Sequence, residues 1–133
     1  MGAIVQLDFE KAFDSVSWQY IFDTLKNFNL GKNFIDWVKL CYTNIYSIVV
    51  NNGFSSGWFK ISRGVRQGCP LSCVLFVLCV ELLAHLIREN NDIHGIQVGE
   101  DGIKLSQFAD DMFSFVSNAS SIKRYLTHVI NSL

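Results

Sequence analysis

Asp8, in the run Leu7-Asp8-Phe9-Glu10-Lys11-Ala12-Phe13-Asp14, and Asp110-Asp111, after Phe108-Ala109, set carboxylates directly into apolar, strand-like stretches near the two ends of the chain. An isolated ionised carboxylate in apolar surroundings is costly, and its escapes are a raised pKa, a cationic partner or a metal. No Lys or Arg lies between Gln107 and Ala119 to neutralise the aspartate pair locally. A divalent cation shared with Asp8 is an attractive solution, and such an arrangement is a site for phosphoryl transfer. Two-metal chemistry of that kind needs carboxylates that bridge cations roughly 3.5–4 Å apart. One ion activates an attacking hydroxyl and the other holds triphosphate and leaving group. Mg²⁺ prefers oxygen ligands, and acids at rigid strand ends supply them better than acids on mobile loops. Asp-Asp at a hairpin tip is also ordinary turn chemistry. The apolar residues on both sides, and the similar setting of Asp8, favour the metal.

The elements that must position these acids are legible as patterns. Residues 4–9 read as a short buried strand carrying Asp8 near its end. Ser17 is a candidate N-cap for a helix over 18–28, with Ile21, Phe22, Leu25 and Phe28 on one face. Asn29-Leu30-Gly31 breaks it. A second helix is expected over 33–46 with Phe34, Trp37, Val38 and Cys41 inward. Residues 47–51 and 58–62 read as partner strands around an Asn52-Gly53 turn. Gly64 and Gly68 bracket a loop, and Pro70 starts a helix that runs to about Glu89. Residues 96–98 and 103–108 suggest a small hairpin, and 112–116 completes a second one whose tip is Ala109-Asp110-Asp111. Ser120 or Ser121 caps a last helix that runs to Leu133. The class is therefore α+β, an antiparallel sheet with helices packed on one side.

At 133 residues, half of them hydrophobic and 17% charged, the chain is one domain or part of a larger one, and disorder is excluded. A formal charge of −1 argues against autonomous nucleic-acid binding, so either metals hold the ligand or the basic parts lie elsewhere. The cysteines Cys41, Cys69, Cys73 and Cys79 contain no C-x-x-C pair, which makes buried reduced thiols in an intracellular protein the expected state. The most apolar run, 74–87, is interrupted by Glu81 and is short for a membrane span. No membrane association is expected.

Three segments in order resemble the successive palm motifs of reverse transcriptases of the LINE-type, non-LTR retrotransposons. They are Leu7-Asp8-Phe9-Glu10-Lys11-Ala12-Phe13-Asp14-Ser15-Val16, Arg63-Gly64-Val65-Arg66-Gln67-Gly68-Cys69-Pro70-Leu71-Ser72 and Phe108-Ala109-Asp110-Asp111. The resemblance implies a polymerase palm with Asp8, Asp110 and Asp111 as catalytic aspartates. Asp8, Asp110 and the main-chain carbonyl of Phe9 would ligate two Mg²⁺ ions, with Mn²⁺ as a substitute, and Asp111 would shape the site. Phe13 would be a steric gate lying under the sugar and excluding a 2′-hydroxyl by clash; its alternative is a core aromatic. Gln67 and Gly68 would meet the incoming nucleotide and the template, glycine by close backbone approach and glutamine as donor and acceptor. Lys60, Arg63 and Arg66 flank that loop, as phosphate contacts or as a solvated charged face. Glu10, Lys11 and Asp14 belong to the motif without a derivable role.

The same resemblance implies an RNA-directed DNA polymerase that uses an RNA or DNA template with primer and deoxynucleoside triphosphates. Its 3′-hydroxyl attacks the α-phosphate in line and pyrophosphate leaves, the protein supplying positioning and charge neutralisation. Relatives commonly carry proline after the serine matching Ser72, where this chain has Cys73. Residues 1–133 are read as a partial reverse transcriptase domain, the palm, with fingers and thumb largely absent. The competing expectation is a folded remnant with no activity in isolation. Nucleus and cytoplasm are the compartments the resemblance implies. Phe54, Trp58 and Phe59 are expected to be exposed where the flanking segments would pack.

Overall fold

Alternating burial along Ala3–Leu7 makes the first strand, β1, with Val5 and Leu7 turned inward and Ile4 to solvent. The structure, a computed structural model, describes residues 2–7, 11–108 and 111–132. After the motif's first acids the chain enters a single helical turn, α1 (Ala12–Ser15), through Lys11 in the left-handed region at φ 51°. Ser17 caps α2 (Trp18–Asn27) as expected, its hydroxyl accepting the Tyr20 N–H at 3.1 Å. Ile21, Thr24 and Leu25 are buried, whereas Phe28, expected on the same face, is exposed.

The next helix, α3 (Lys32–Cys41), differs from expectation in length and in rotation. It stops at Cys41 because Tyr42 and Thr43 turn their N–H groups back onto the carbonyls of Lys39 and Leu40, and Asn44 takes φ 52°. Ile35 and Val38 form its buried stripe; Phe34, Trp37 and Cys41 point outward, with Leu40 beside them. Apolar residues on both sides of this helix give two candidate stripes, and the helix beds on the aliphatic, β-branched one.

The expected single hairpin is two short ladders. β2 (Tyr46–Ser47) pairs with β5 (Phe59–Lys60), and β3 (Val50–Asn51) pairs with β4 (Phe54–Ser55) around Asn52-Gly53. Ser56 interrupts the pairing: its N–H donates to the Val49 carbonyl and its hydroxyl accepts the Val49 N–H. Pro70 opens α4 (Pro70–Glu89) as predicted, and the helix entry is undisturbed by the exposed Cys73.

β6 (Ile96–Val98) pairs with β7 (Asp101–Ile103) alone. β8 (Leu105–Phe108) is instead an edge of the main sheet, separated from β7 by Lys104, whose ammonium bonds the carbonyls of Arg88 and Asn90. β9 (Asp111–Val116) follows. The last helix, α5 (Ala119–Ser132), is capped by Asn118 rather than by either serine, since Asn118 Oδ1 accepts from the N–H of Ser121 and the hydroxyl of Ser120.

β9 is the centre of an antiparallel sheet in the order β1-β9-β8. Its inner face, Met112, Ser114 and Val116, lies against the helices. α4 supplies the middle of the core through Leu75, Phe76, Cys79, Val80, Leu83 and Ile87. Each such aliphatic side chain, fully buried, contributes about 1.5–3 kcal/mol. α4 is long and apolar enough to cross a membrane; one face of it fills the core, Val74, Val77 and Leu86 are exposed, and Glu81 pairs with Arg88 at 2.7 Å. Of the four cysteines only Cys79 is buried; Cys41 and Cys73 are exposed, against expectation.

Candidate functional site

The register of the sheet brings together the described strand ends that adjoin the two acidic motifs. Met112 is paired with Leu7 on one side and with Gln107 on the other, and Asp111 is paired with Phe108. The ends of β1 and β8 and the start of β9 therefore sit side by side at one end of the sheet. Asp8, Phe9, Glu10, Ala109 and Asp110 lie outside the described residues. Asp111 is described and exposed, on the outer face with Phe108. Among the described residues no cation pairs with its carboxylate, and no cluster of three or more His, Cys, Asp or Glu able to hold a metal occurs.

The second motif is stitched to the first. Gly64 donates its N–H to the Val16 carbonyl at 2.8 Å, and Val65 donates to the Phe13 carbonyl at 2.7 Å. The Trp18 indole N–H donates to the Gly64 carbonyl at 2.8 Å. Gly64 has φ +82°, and a Cβ there would meet the Asp14 carbonyl oxygen at 2.7 Å, so only glycine lets the two segments close. Neither Gly64 nor Trp18 stood out in the sequence as more than a loop bracket and a helix start. The long-range partner that gives each its role is invisible in a linear reading.

Phe13 is half-buried, and its ring stacks on that of Phe76 from α4, with centroids 4.5 Å apart and planes at 19°. One face of Phe13 is therefore braced by the core helix. From the same loop Arg66, Gln67 and Gly68 project into solvent. Gly68 has φ +82° with no atom within 4 Å of a would-be Cβ, and the Cys69 N–H closes the turn onto the Arg66 carbonyl. That open space beside an exposed glycine and glutamine suits close approach of a ligand. Cys69 follows at the start of α4, where the N–H groups of Ser72 and Leu71 hold its thiol below the usual range, with the Ser72 hydroxyl and Arg66 helping. Lys60, Arg63 and Arg66 are exposed and make no ion pair among the described residues.

The model of the family described as reverse transcriptase (RNA-dependent DNA polymerase) matches residues 2–133. The chain is 35% identical over 130 residues to the retrovirus-related Pol polyprotein of the type-2 retrotransposable element R2DM of Drosophila melanogaster, covering 98% of this chain and 12% of that one. It is 34% identical over 124 residues to the transposon TX1 uncharacterized 149 kDa protein of Xenopus laevis, covering 92% and 9%. It thus spans only about a tenth of these relatives. Apo telomerase of Candida tropicalis, truncated from its C-terminal domain, superposes with a TM-score of 0.56 at 18% identity, covering 98% of this chain and 26% of that one.

Proposed function

The chain belongs to the reverse transcriptase (RNA-dependent DNA polymerase) family, and from that premise we propose that residues 1–133 are the catalytic palm of an RNA-directed DNA polymerase, part of a longer enzyme. The observation that carries the reading is the sheet register, which joins the strand ends leading to Asp8 and Asp110 through their common neighbour β9. Asp8, Asp110 and the Phe9 carbonyl offer only oxygen donors, the class that suits Mg²⁺ or Mn²⁺, and Asp111 shapes the site from the start of β9. Two such ions, when bound, supply the positive charge that activates a primer 3′-hydroxyl and neutralises a triphosphate.

The protein's own groups do the positioning. The Phe13 ring, backed by Phe76, forms a wall that a deoxyribose clears and a 2′-hydroxyl strikes. Gly68 lets backbone approach the nucleotide, Gln67 offers donor and acceptor, and Arg66 reaches toward phosphate. The Gly64–Val16, Val65–Phe13 and Trp18–Gly64 bonds hold these groups at a fixed distance from the gate.

The test is a chimera in which this chain replaces the matching segment of the Drosophila R2DM polyprotein, assayed for Mg²⁺-dependent primer extension. The expected result is extension that vanishes in Asp110→Asn. A folded chimera without extension would identify the chain as a non-catalytic remnant. Phe13→Ala in the chimera should raise ribonucleotide incorporation on the order of ten- to a hundredfold.

A further inference from the structure

Among the described residues the largest side chain with no solvent exposure is Tyr125, on α5. A phenol inside a core has to find its hydroxyl a partner. Here the hydroxyl donates to Met112 Sδ, 3.8 Å away. Burial pushes the Tyr125 phenol up from its usual pKa, so it stays protonated and remains a donor. Met112 is itself fully buried, the second residue of β9, directly after Asp111. In the sheet it is the common neighbour of Leu7, at the end of β1, and Gln107, near the end of β8. The three strand ends that adjoin the acidic motifs therefore meet at one residue, and one phenol holds that residue from the core side.

The same face carries two more polar atoms that a plain core would not keep. Gln107, directly opposite Met112, shares its side of the sheet, and Ser114 lies there two residues on. Gln107 Oε1 and Ser114 Oγ are buried with no hydrogen-bond partner among the described residues. Leaving such atoms unpaired is costly, and apolar side chains would avoid it. Breaches of that rule concentrate at functional sites, where placement matters more than stability. This breach lies beneath the strand ends that lead into the acidic motifs.

The helix that carries Tyr125 is anchored. One turn earlier Ser121 is buried, its hydroxyl accepting the His94 N–H at 3.3 Å and donating to the Asp92 carbonyl at 3.4 Å. Arg124 pairs with Asp92 at 2.8 Å. Support from a fixed element is what holds a site in its productive geometry. We propose that Tyr125 is a positioning residue of the candidate polymerase site: through Met112 its hydroxyl fixes the start of β9 and, by the sheet pairings, the ends of β1 and β8. The proposal rests on the reading of the chain as a polymerase palm. Tyr125 acts through Met112 and not on the substrate.

Tyr125→Phe removes the hydroxyl and keeps the ring, so the core stays filled. The change is made in the R2DM chimera, for kinetics, and in the chain itself, for Mn²⁺ binding followed by electron paramagnetic resonance. The expected result is a fall of roughly three- to tenfold in kcat at unchanged nucleotide KM, with a similar loss of Mn²⁺ affinity; a thioether is a weak acceptor, which keeps the effect modest. Met112→Leu keeps the volume, removes the sulfur and should give the same pair of effects. Ser114→Ala removes a hydroxyl that has no partner and should give neither. A purely structural Tyr125 would shift the urea midpoint and leave kcat and Mn²⁺ affinity unchanged, and that result would overturn the proposal. A loss in Ser114→Ala as large as in Tyr125→Phe would overturn it too. If the wild-type chimera fails to extend a primer while Tyr125→Phe still weakens Mn²⁺ binding, the catalytic reading falls and this one stands. If the chimera extends and Tyr125→Phe changes only stability, this one falls alone.

Discussion

A methyl group on Gly64 would press on the Asp14 carbonyl, and one on Gly68 would meet nothing within 4 Å, although both residues have φ +82°. The pair separates backbone strain from crowding. Gly64→Ala is expected to cost about 2–3 kcal/mol, read from urea unfolding, and Gly68→Ala about 1 kcal/mol. Equal losses would show that the closure of Gly64 on α1 is not what requires glycine. Trp18→Phe keeps a ring but leaves the Gly64 carbonyl without its donor, a loss of about 1–2 kcal/mol. In the extension chimera this change should leave discrimination against ribonucleotides largely intact, because the Val65–Phe13 and Gly64–Val16 backbone bonds still hold the loop to Phe13.

At the scale of elements, α2 and α4 are joined where the Tyr20 hydroxyl donates to the Cys79 carbonyl at 3.1 Å. Burial, with Cys79 beside it, pushes the Tyr20 phenol from 10.0 up to about 12. Burial likewise pushes the Cys79 thiol from 9.0 up to about 11. Both folded values are raised, so the neutral forms stabilise the fold. That stability is present in full below about pH 9 and is lost as pH rises through 9.0–12. Urea midpoints should be flat below that window and fall within it, and Tyr20→Phe should blunt the fall above pH 10.0. A Tyr20→Phe profile parallel to wild type would refute the assignment. The sequence displayed most of these elements: an apolar run marked β1, residues 112–116 read as the return strand that is β9, Ser17 and Pro70 marked two helix starts, and Asn52-Gly53 marked its turn. It concealed the rotation of α3, whose Phe34 and Trp37 are as apolar as its buried Ile35 and Val38. It also concealed the Ser56 interruption and the claim of Asn118 over two serines as a cap. In the candidate site, residue types and spacing offered Asp8 and Asp110, which lie outside the described residues, whereas the stitching by Gly64 and Trp18 exists only between segments distant in sequence.

Taken whole, the molecule is a core built on α4, with the strand ends that adjoin the acidic motifs side by side at one end of the sheet and a cationic, ring-rich hairpin elsewhere on the chain. It covers 9% and 12% of the TX1 and R2DM relatives, so the 133 residues alone are expected to give no templated extension in a primer assay with Mg²⁺. Extension by the isolated chain would mean that the palm carries its own grip on primer and template. The proposed palm requires carboxylates from the two motifs to act on the same cations. Mn²⁺ binding, followed by electron paramagnetic resonance in the wild-type chain, Asp8→Asn and Asp110→Asn, tests it most directly. Mn²⁺ is expected to bind the wild type and to be lost in either single substitution, with the fold intact by circular dichroism. Undiminished binding in both variants, or a loss confined to one of them, would contradict a shared site.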